Sequence, residues 1–508
     1  MLASRQATSE ASTPIPYRVA TSRPAGALSA AAIEVALERS VPAYSPIVLA
    51  GTVRLIELAL TVLIGFSIYG AYVVPVEGFE WHYIAAILAI AVMAMIAMQA
   101  ADIYQVQAFR GHEKQYMRLA SAWSVVFLIG IGMSFFSADP FARVWLGSFY
   151  AGGLVALIGF RRVLFLLVRR WTKQGRLDRR AVVVGADARG ESLIDAIAAQ
   201  PDNDVRIVGL FDDRGDDRSR ATISSRPNLG TVDDLVEFAR RTRVDLVIFA
   251  LPISAESRIL QMLKKLWVLP VDIRLAAHSD KLHFRPRTYS YIGTVPLLDV
   301  FDKPITDWDV VIKWLFDRFI GCLLLLATSP IMLLAAIAVK LDSRGPVLFK
   351  QKRYGFNNEM IEVYKFRSMY VDRCDAAAAV QVTRGDSRVT RVGAILRKTS
   401  MDELPQLFNV VLKGDLSLVG PRPHAVHAEP EIRLYDEAVD GYFARHRVKP
   451  GITGWAQVNG WRGEIDTHEK IQRRVEHDLH YIENWSVLLD LYILARTPIA
   501  IFNTKNVY

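Results

Sequence analysis

The sequence predicts a membrane protein in three parts: an α-helical bundle in the bilayer, an α/β Rossmann-like cytoplasmic domain, and an α+β membrane-associated domain with a re-entrant helix. Three observations carry this. Hydrophobic residues make up 52% of the 508-residue chain and mean hydropathy is +0.20, both above what soluble domains usually carry. Four apolar segments cluster before residue 170, and strand and helix patterns alternate only after Arg180. A further uncharged run, Phe319 to Val339, stands apart from the others and has Ser329-Pro330 near its centre.

Residues 1–46 are rich in Ala, Ser and Pro and lack a continuous apolar core. They are expected to form a disordered cytoplasmic tail rather than a cleaved signal peptide. Residues 47–170 predict a four-helix transmembrane bundle, with apolar stretches over Ile47 to Val74, Tyr83 to Tyr104, Leu119 to Phe136 and Phe141 to Phe160. Each is near the roughly 20 residues needed to cross a bilayer. The loop Pro75 to His82 has no Lys or Arg, whereas Gln105 to Arg118 carries Arg110, Lys114 and Arg118, and the fourth segment exits into Arg161, Arg162, Arg169, Arg170, Lys173 and Arg176. Positive-inside bias places both ends of the bundle in the cytoplasm.

Residues 178–300 read as the Rossmann-like domain: Ala181 to Val184 is a buried strand, Gly190 to Ala199 a helix, and further strands fall at Val205 to Phe211, Val244 to Ala250 and Val271 to Leu275. The first turn, Gly185-Ala186-Asp187-Ala188-Arg189-Gly190, has Asp187 where a dinucleotide fingerprint has its middle glycine. A carboxylate there repels a pyrophosphate, so a structural or regulatory role is favoured over NAD binding. No Tyr-x-x-x-Lys pair occurs in the chain, which weakens a sugar-nucleotide dehydratase or epimerase. Asp307-Trp308-Asp309 opens an apolar helix, where capping is a better reading than metal binding.

Residues 304–508 form the third part, with the re-entrant helix over 315–341. A straight crossing would carry Arg344, Lys350, Lys352 and Arg353 to the outer face. Pro330 removes a helix hydrogen bond and Ser329 can satisfy the freed group, so a helix-break-helix that enters and leaves by one face reconciles length with charge. From Arg344 to Lys398 twelve basic residues face five acidic ones. Beside a membrane this reads as contact with anionic lipid or phosphate, not nucleic acid. Cys322 and Cys374 are the two cysteines and support neither a disulfide framework nor a zinc site.

Asp402 and Glu403 follow this basic stretch. Paired carboxylates can supply an oxygen nucleophile and a Mg²⁺ ligand, and guanidinium forks can neutralise and orient a diphosphate. Helix capping is compatible with that role. Ser400 and Glu403 have capping-box spacing, but Pro405 makes Asp402 the better N-cap.

Lys365-Phe366-Arg367-Ser368-Met369, Leu396-Arg397-Lys398-Thr399-Ser400-Met401-Asp402-Glu403-Leu404-Pro405-Gln406, Gly414-Asp415-Leu416-Ser417-Leu418-Val419-Gly420-Pro421-Arg422-Pro423 and Lys449-Pro450-Gly451-Ile452-Thr453-Gly454-Trp455 together resemble the bacterial sugar transferase family. These are polyprenyl-phosphate sugar phosphotransferases, or monotopic phosphoglycosyl transferases, and the bundle and Rossmann-like module resemble the long form. The likeness is greatest to undecaprenyl-phosphate glucose phosphotransferases of exopolysaccharide pathways. It implies that Asp402 attacks the sugar-bearing phosphate of a UDP-sugar, releases UMP and passes the phosphosugar to undecaprenyl phosphate. It further implies catalytic roles for Asp402 and Glu403, Mg²⁺ held by Glu403 with Asp402 sharing it, and phosphate contacts from Lys365, Arg367, Arg397 and Arg422. Ser329 and Pro330 take the family's membrane break. The implied setting is the cytoplasmic face of the bacterial inner membrane, and a homo-oligomer is compatible with it.

Trp461-Arg462-Gly463-Glu464 to Asn484-Trp485-Ser486 resembles the glucose-transferring subgroup, with galactose or an N-acetylated sugar left open. Trp485 to Phe502 reads either as an interfacial helix or as a packed domain helix. Two other classes compete with the enzyme: a non-enzymatic membrane regulator of polysaccharide assembly, and the NAD-dependent enzyme already weakened above.

Overall fold

The computed structural model describes residues 28–38, 41–104, 113–135, 141–185, 187–200, 204–213, 222–223, 226–251, 255–276, 289–292, 295–371, 386–423, 442–461 and 468–502. Residues 1–27 of the expected tail, Arg110, Ala186, Cys374 and Arg462 to Glu464 lie outside them. The tail expectation needs correcting where it meets the described residues, because a helix forms over Ala30–Leu37. Ser29 caps it by accepting from the Ala32 amide at 3.0 Å, and its own hydroxyl donates to the Leu229 carbonyl at 2.7 Å. Leu28 and Ala32 are buried with Leu229, Val232 and Phe238. A run of small and branched apolar residues with one charge, Glu34, finds a hydrophobic seat on the α/β domain.

Four long apolar helices follow, each able to cross a bilayer by length and composition. They span Pro46–Glu77, with a wide turn over Tyr69–Val73, then Trp81–Ala100, Glu113–Phe135 and Arg143–Lys173. The last runs beyond the Phe160 boundary expected from hydropathy. Arg and Leu are strong helix formers, so the helix continues past its apolar part. Arg161 is buried there and donates to both oxygens of Glu57, at 2.5 and 3.0 Å. Burial of this pair is tolerable because each charge neutralises the other in a bidentate geometry.

Among the described residues the α/β domain contains an eight-stranded sheet in the order β3-β4-β2-β1-β5-β6-β8-β7. Its strands are β1 (Arg179–Val184), β2 (Val205–Phe211), β3 (Thr222–Ile223), β4 (Arg226–Gly230), β5 (Leu246–Phe249), β6 (Asp272–Ala276), β7 (Tyr289–Ile292) and β8 (Val295–Phe301). β4, β2, β1, β5 and β6 are parallel; β3, β8 and β7 add antiparallel edges. Hydrophobic clusters cover both faces, as a parallel sheet requires. Asp187 caps the helix after β1, its carboxylate accepting from the amides of Arg189 and Gly190 at 3.0 and 3.2 Å. The helix N-terminus that would hold a pyrophosphate in a dinucleotide fold is bound to this side chain instead.

A single helix, Asp307–Asp342, opens the third domain, continuous through Pro330. The expected interruption is thus local: Pro330 cannot donate to the Leu326 carbonyl, and the Ser329 hydroxyl does so instead at 2.8 Å. Asp307 and Asp309 lie in the first turn, and Asp307 accepts from Ser45 at the start of the first bundle helix. Lys313 donates to Asp490 at 2.7 Å and to the Val419 carbonyl at 3.1 Å, while Asp317 accepts from the Leu418 amide at 3.1 Å. At the far end Asp342 accepts from the Val392 amide at 3.1 Å. Met332, Ala335 and Val339 pack with Phe366 and Leu396. Both ends of the helix are therefore held by one polar domain.

That domain carries an antiparallel hairpin, β9 (Leu348–Tyr354) and β10 (Met360–Phe366), and a parallel pair, β11 (Ser417–Val419) and β12 (Gly451–Thr453). The terminal helix Val487–Phe502 buries Asp490 and Ile493 completely and exposes Leu488, Leu491, Tyr492 and Ile499. Both readings of that stretch apply to it: one face packs in the domain and the other is an apolar surface.

Candidate active site

The Asp402 turn is held by its neighbours in sequence. Thr390 caps the helix Arg391–Lys398 by accepting from the Gly393 amide at 3.0 Å. A side chain at Gly393 would come within 2.1 Å of the Ser368 carbonyl oxygen, so only glycine lets this helix lie on the end of the hairpin. Ser400 then takes a left-handed conformation, with φ 57°, which stops the helix and turns the chain into a short 3₁₀ turn, Met401–Glu403. Asn409, fully buried, accepts from the Tyr364 amide at 2.9 Å and donates to the Glu362 carbonyl at 2.7 Å, fastening the following turn to β10. Asp402 and Glu403 are thereby set beside Lys365.

Glu403 is clamped: one carboxylate oxygen accepts from Lys365 at 3.0 Å and from Arg422 at 2.9 Å. Asp402 lies inside the 3₁₀ turn rather than at its N-cap, which corrects the capping reading, and its half-buried carboxylate makes no hydrogen bond among the described residues. Burial pushes that carboxyl up to about 6, against the pull of the Lys365 charge; Glu403 raises it further, and Arg397 and Arg422 lower it. The group still reaches solvent, so it titrates rather than staying neutral. At pH 7 it is mostly an anion with its oxygens uncommitted, the state a nucleophile needs.

Of the cations expected at this site, Lys365, Arg397 and Arg422 are brought to it. Arg367 is not, and its expected phosphate contact needs correcting. It is 3% exposed and donates to the carbonyls of Arg344 and Ser343, each at 2.7 Å, and of Val339 at 3.4 Å. A planar fork meets carbonyls at and just beyond the C-terminal end of the long helix, where a cation is favoured. Arg353 was missed. It donates to the Pro423 carbonyl at 3.1 Å, and burial with the neighbouring Arg422 lowers it to about 10, opposed by Glu403. Strand alternation could have found it, since cross-strand partners Ile361 and Arg353, Val363 and Gln351, Lys365 and Phe349 put Arg353 and Lys365 on one face.

Behind Arg422 stands a second tier. Arg445, 1% exposed, pairs with the buried Asp478 and donates to the Arg422 carbonyl at 3.3 Å. Burial lowers Arg474 to about 10, helped by Arg422 and Arg445 and opposed by Asp478. The loop bearing Arg422 is fixed by close backbone approach, for a side chain at Gly451 would come within 2.1 Å of the Gly420 nitrogen. Among the described residues no group of three or more His, Cys, Asp or Glu gathers as a metal-only site. Two adjacent carboxylates, one with uncommitted oxygens, fit a cation that takes its other ligands from a substrate's phosphates.

Residues 308–504 match the bacterial sugar transferase family, and residues 99–277 match a family described as a CoA-binding domain. The chain is 43% identical over 329 residues to an undecaprenyl-phosphate glucose phosphotransferase of Komagataeibacter xylinus, covering 64% of this chain and 59% of that protein. It is 36% identical to a UDP-glucose:undecaprenyl-phosphate glucose-1-phosphate transferase of Klebsiella pneumoniae, covering 85% of this chain and 91% of that protein. A protein of the same name from Escherichia coli K12 is 34% identical, with 86% and 92% covered. With more than four fifths of this chain and nine tenths of two such relatives aligned at 34–36% identity, the protein belongs to the bacterial sugar transferase family.

Proposed function

We propose that this chain transfers glucose 1-phosphate from UDP-glucose to undecaprenyl phosphate, releasing UMP, at the cytoplasmic face of the bacterial inner membrane. The observation that carries the reading is the uncommitted Asp402 carboxylate beside a Glu403 held by Lys365 and Arg422. An Asp402 oxygen attacks the sugar-bearing phosphorus, and the bond from that phosphorus to the bridging oxygen breaks, sending its electrons to UMP. An oxygen of undecaprenyl phosphate then attacks the same phosphorus. The aspartyl–phosphate bond breaks, the carboxylate is restored, and a lipid diphosphosugar leaves. Lys365, Arg353, Arg397 and Arg422 set four positive charges against the two carboxylates. The excess of two offsets the diphosphate's charge, the usual means of catalysis where charge builds on phosphoryl oxygens. Mg²⁺ held by Asp402 and Glu403 would supply further neutralisation of the diphosphate.

The same geometry supports a re-entrant long helix. A polar domain that grips Lys313 at one end and Asp342 at the other lies on one side of the bilayer, so both helix ends share that side.

With a covalent intermediate, enzyme without acceptor releases UMP in an amount not exceeding the enzyme, and labelled UMP exchanges into UDP-glucose. Asp402→Asn abolishes both events. Substantial glycolipid formation by that variant, or exchange that requires acceptor, removes Asp402 as nucleophile.

A further inference from the structure

A second cationic cluster lies away from Asp402, around Gly414. Arg318 is the last charge before the uncharged run Phe319 to Val339. Its half-buried guanidinium lies 5.7 Å over the Trp314 ring and makes no hydrogen bond or ion pair among the described residues. One of its nitrogens stands 2.8 Å from where a side chain on Gly414 would begin. Lys449 donates to the Gly414 carbonyl at 2.7 Å, and the Lys413 ammonium stands 4.3 Å from the Tyr364 ring. Arg318 and Lys449 thus meet at one residue that has no side chain, while Lys413 faces Tyr364.

The nearby carboxylates are committed elsewhere. Asp317 accepts from Ser417 and Leu418, both at 3.1 Å, and lies 3.4 Å from Lys313. Asp415 accepts from the Asn409 amide at 3.2 Å. Burial lowers Lys449, opposed by Asp317 and Asp415 and helped by Arg318 and Lys313. Trp314, Leu315, Phe319 and Leu412 are exposed around the cluster. A free anion has no use for that apolar rim, whereas a lipid presents a phosphate and its chains together.

We infer that Arg318 and Lys449 bind the phosphate of an anionic bilayer phospholipid, fixing the depth at which the catalytic domain rides. The acceptor lipid is the other amphiphilic phosphate, but it must reach Asp402. Met401 and Leu404, which flank Asp402, pack with Met332 and Ala335 beyond Pro330, whereas Arg318 lies before it.

The test uses full-length protein in nanodiscs of phosphatidylcholine with dioleoylphosphatidylglycerol, extracted in mild detergent, with retained lipid quantified by mass spectrometry. Wild type retains phosphatidylglycerol in preference to phosphatidylcholine. R318Q/K449Q lowers that preference about tenfold, as expected for loss of charge-assisted hydrogen bonds. Lys264→Gln, an exposed change on the Rossmann-like domain, leaves it intact. UMP release from UDP-glucose persists in all these variants, so loss of lipid preference is separable from failure of the proposed reaction. If the double variant does not fold, Lys449→Gln, at an exposed side chain, lowers the preference several-fold in the same assay. An unchanged preference in a folded variant overturns the site. One-for-one displacement by undecaprenyl phosphate assigns it to the acceptor, and equal displacement by millimolar inorganic phosphate makes it a free-anion site; either result overturns the inference.

Discussion

Replacing Lys365 with Met keeps the length of the side chain and removes the charge that does most to hold Asp402 ionised. Burial pushes Asp402 from 3.8 to about 6 while Lys365, ahead of Arg397 and Arg422, pulls it down. A neighbouring opposite charge is worth about one to three pKa units, and partial exposure of the site argues for the low end, so Asp402 in the variant titrates near about 7. At pH 6 the ionised fraction then falls from about one half to about one tenth, a fivefold loss of nucleophile, whereas at pH 8 the loss is only about a tenth. The assay is the rate of UMP appearance without acceptor between about pH 5 and pH 9. In wild type the rate rises through pH 6 and levels off; in Lys365→Met the rise moves about one unit to higher pH, above a reduced plateau that reports the lost phosphate contact. The stability sign follows from the same shift. A carboxyl raised on folding contributes stability that is fully present below its unfolded value near 3.8 and lost as pH rises through about 6. A rate reduced by the same factor at every pH would refute the electrostatic role and leave Lys365 as a substrate contact alone.

Arg367→Ala strips the end of the long helix of three hydrogen bonds from a buried cation and should destabilise the catalytic domain by about 2–4 kcal/mol, measured by urea denaturation in detergent. Normal stability with a raised KM for UDP-glucose would return it to the phosphate site. Gly393→Ala drives a methyl into the Ser368 carbonyl and moves the Asp402 turn, so the folded variant should lose about 100-fold in UMP release with little change in nucleotide binding. Pro330→Leu restores a donor to the Leu326 carbonyl and should favour a straight crossing. In intact cells Cys374 should resist an impermeant thiol reagent in the parent protein, while a cysteine at Gly78 reacts; labelling of Cys374 in the parent would sink the re-entrant topology, and unchanged topology with full activity in Pro330→Leu would sink the role of the proline.

Hydropathy and charge asymmetry located the four bundle helices because lipid demands long uniform runs, but hydropathy ended the fourth at Phe160, where polarity rather than helical structure changes. Asp187 was read only as a carboxylate that repels a pyrophosphate; that it also caps the following helix needed the structure. The Asp-Glu pair, Lys365, Arg397 and Arg422 were legible from motifs. Arg367 shares a motif with Lys365, yet its partners are carbonyls more than twenty residues earlier, a tertiary contact that no local pattern encodes. Arg353, Arg445 and Arg474 were hidden among many basic residues, distinguishable only by burial. The short helix near the N-terminus was missed because composition outweighed a capping serine and eight residues of helix-forming sequence.

The ion pair between Glu57 and Arg161 sets a timetable for biogenesis. The two residues are 104 positions apart, so at ordinary rates of about 5–20 residues per second the carboxylate emerges about 5–20 s before its partner. During that interval the first helix holds a costly acidic group whose nearest charge on the helix is Arg54, one turn earlier, without the bidentate partner. It can wait protonated, shallow in the headgroups or still beside the insertion machinery, and it becomes a settled resident of the bilayer only when the fourth helix arrives. A chain truncated before residue 161 should therefore be a substrate for quality-control proteolysis even though it contains three complete apolar helices.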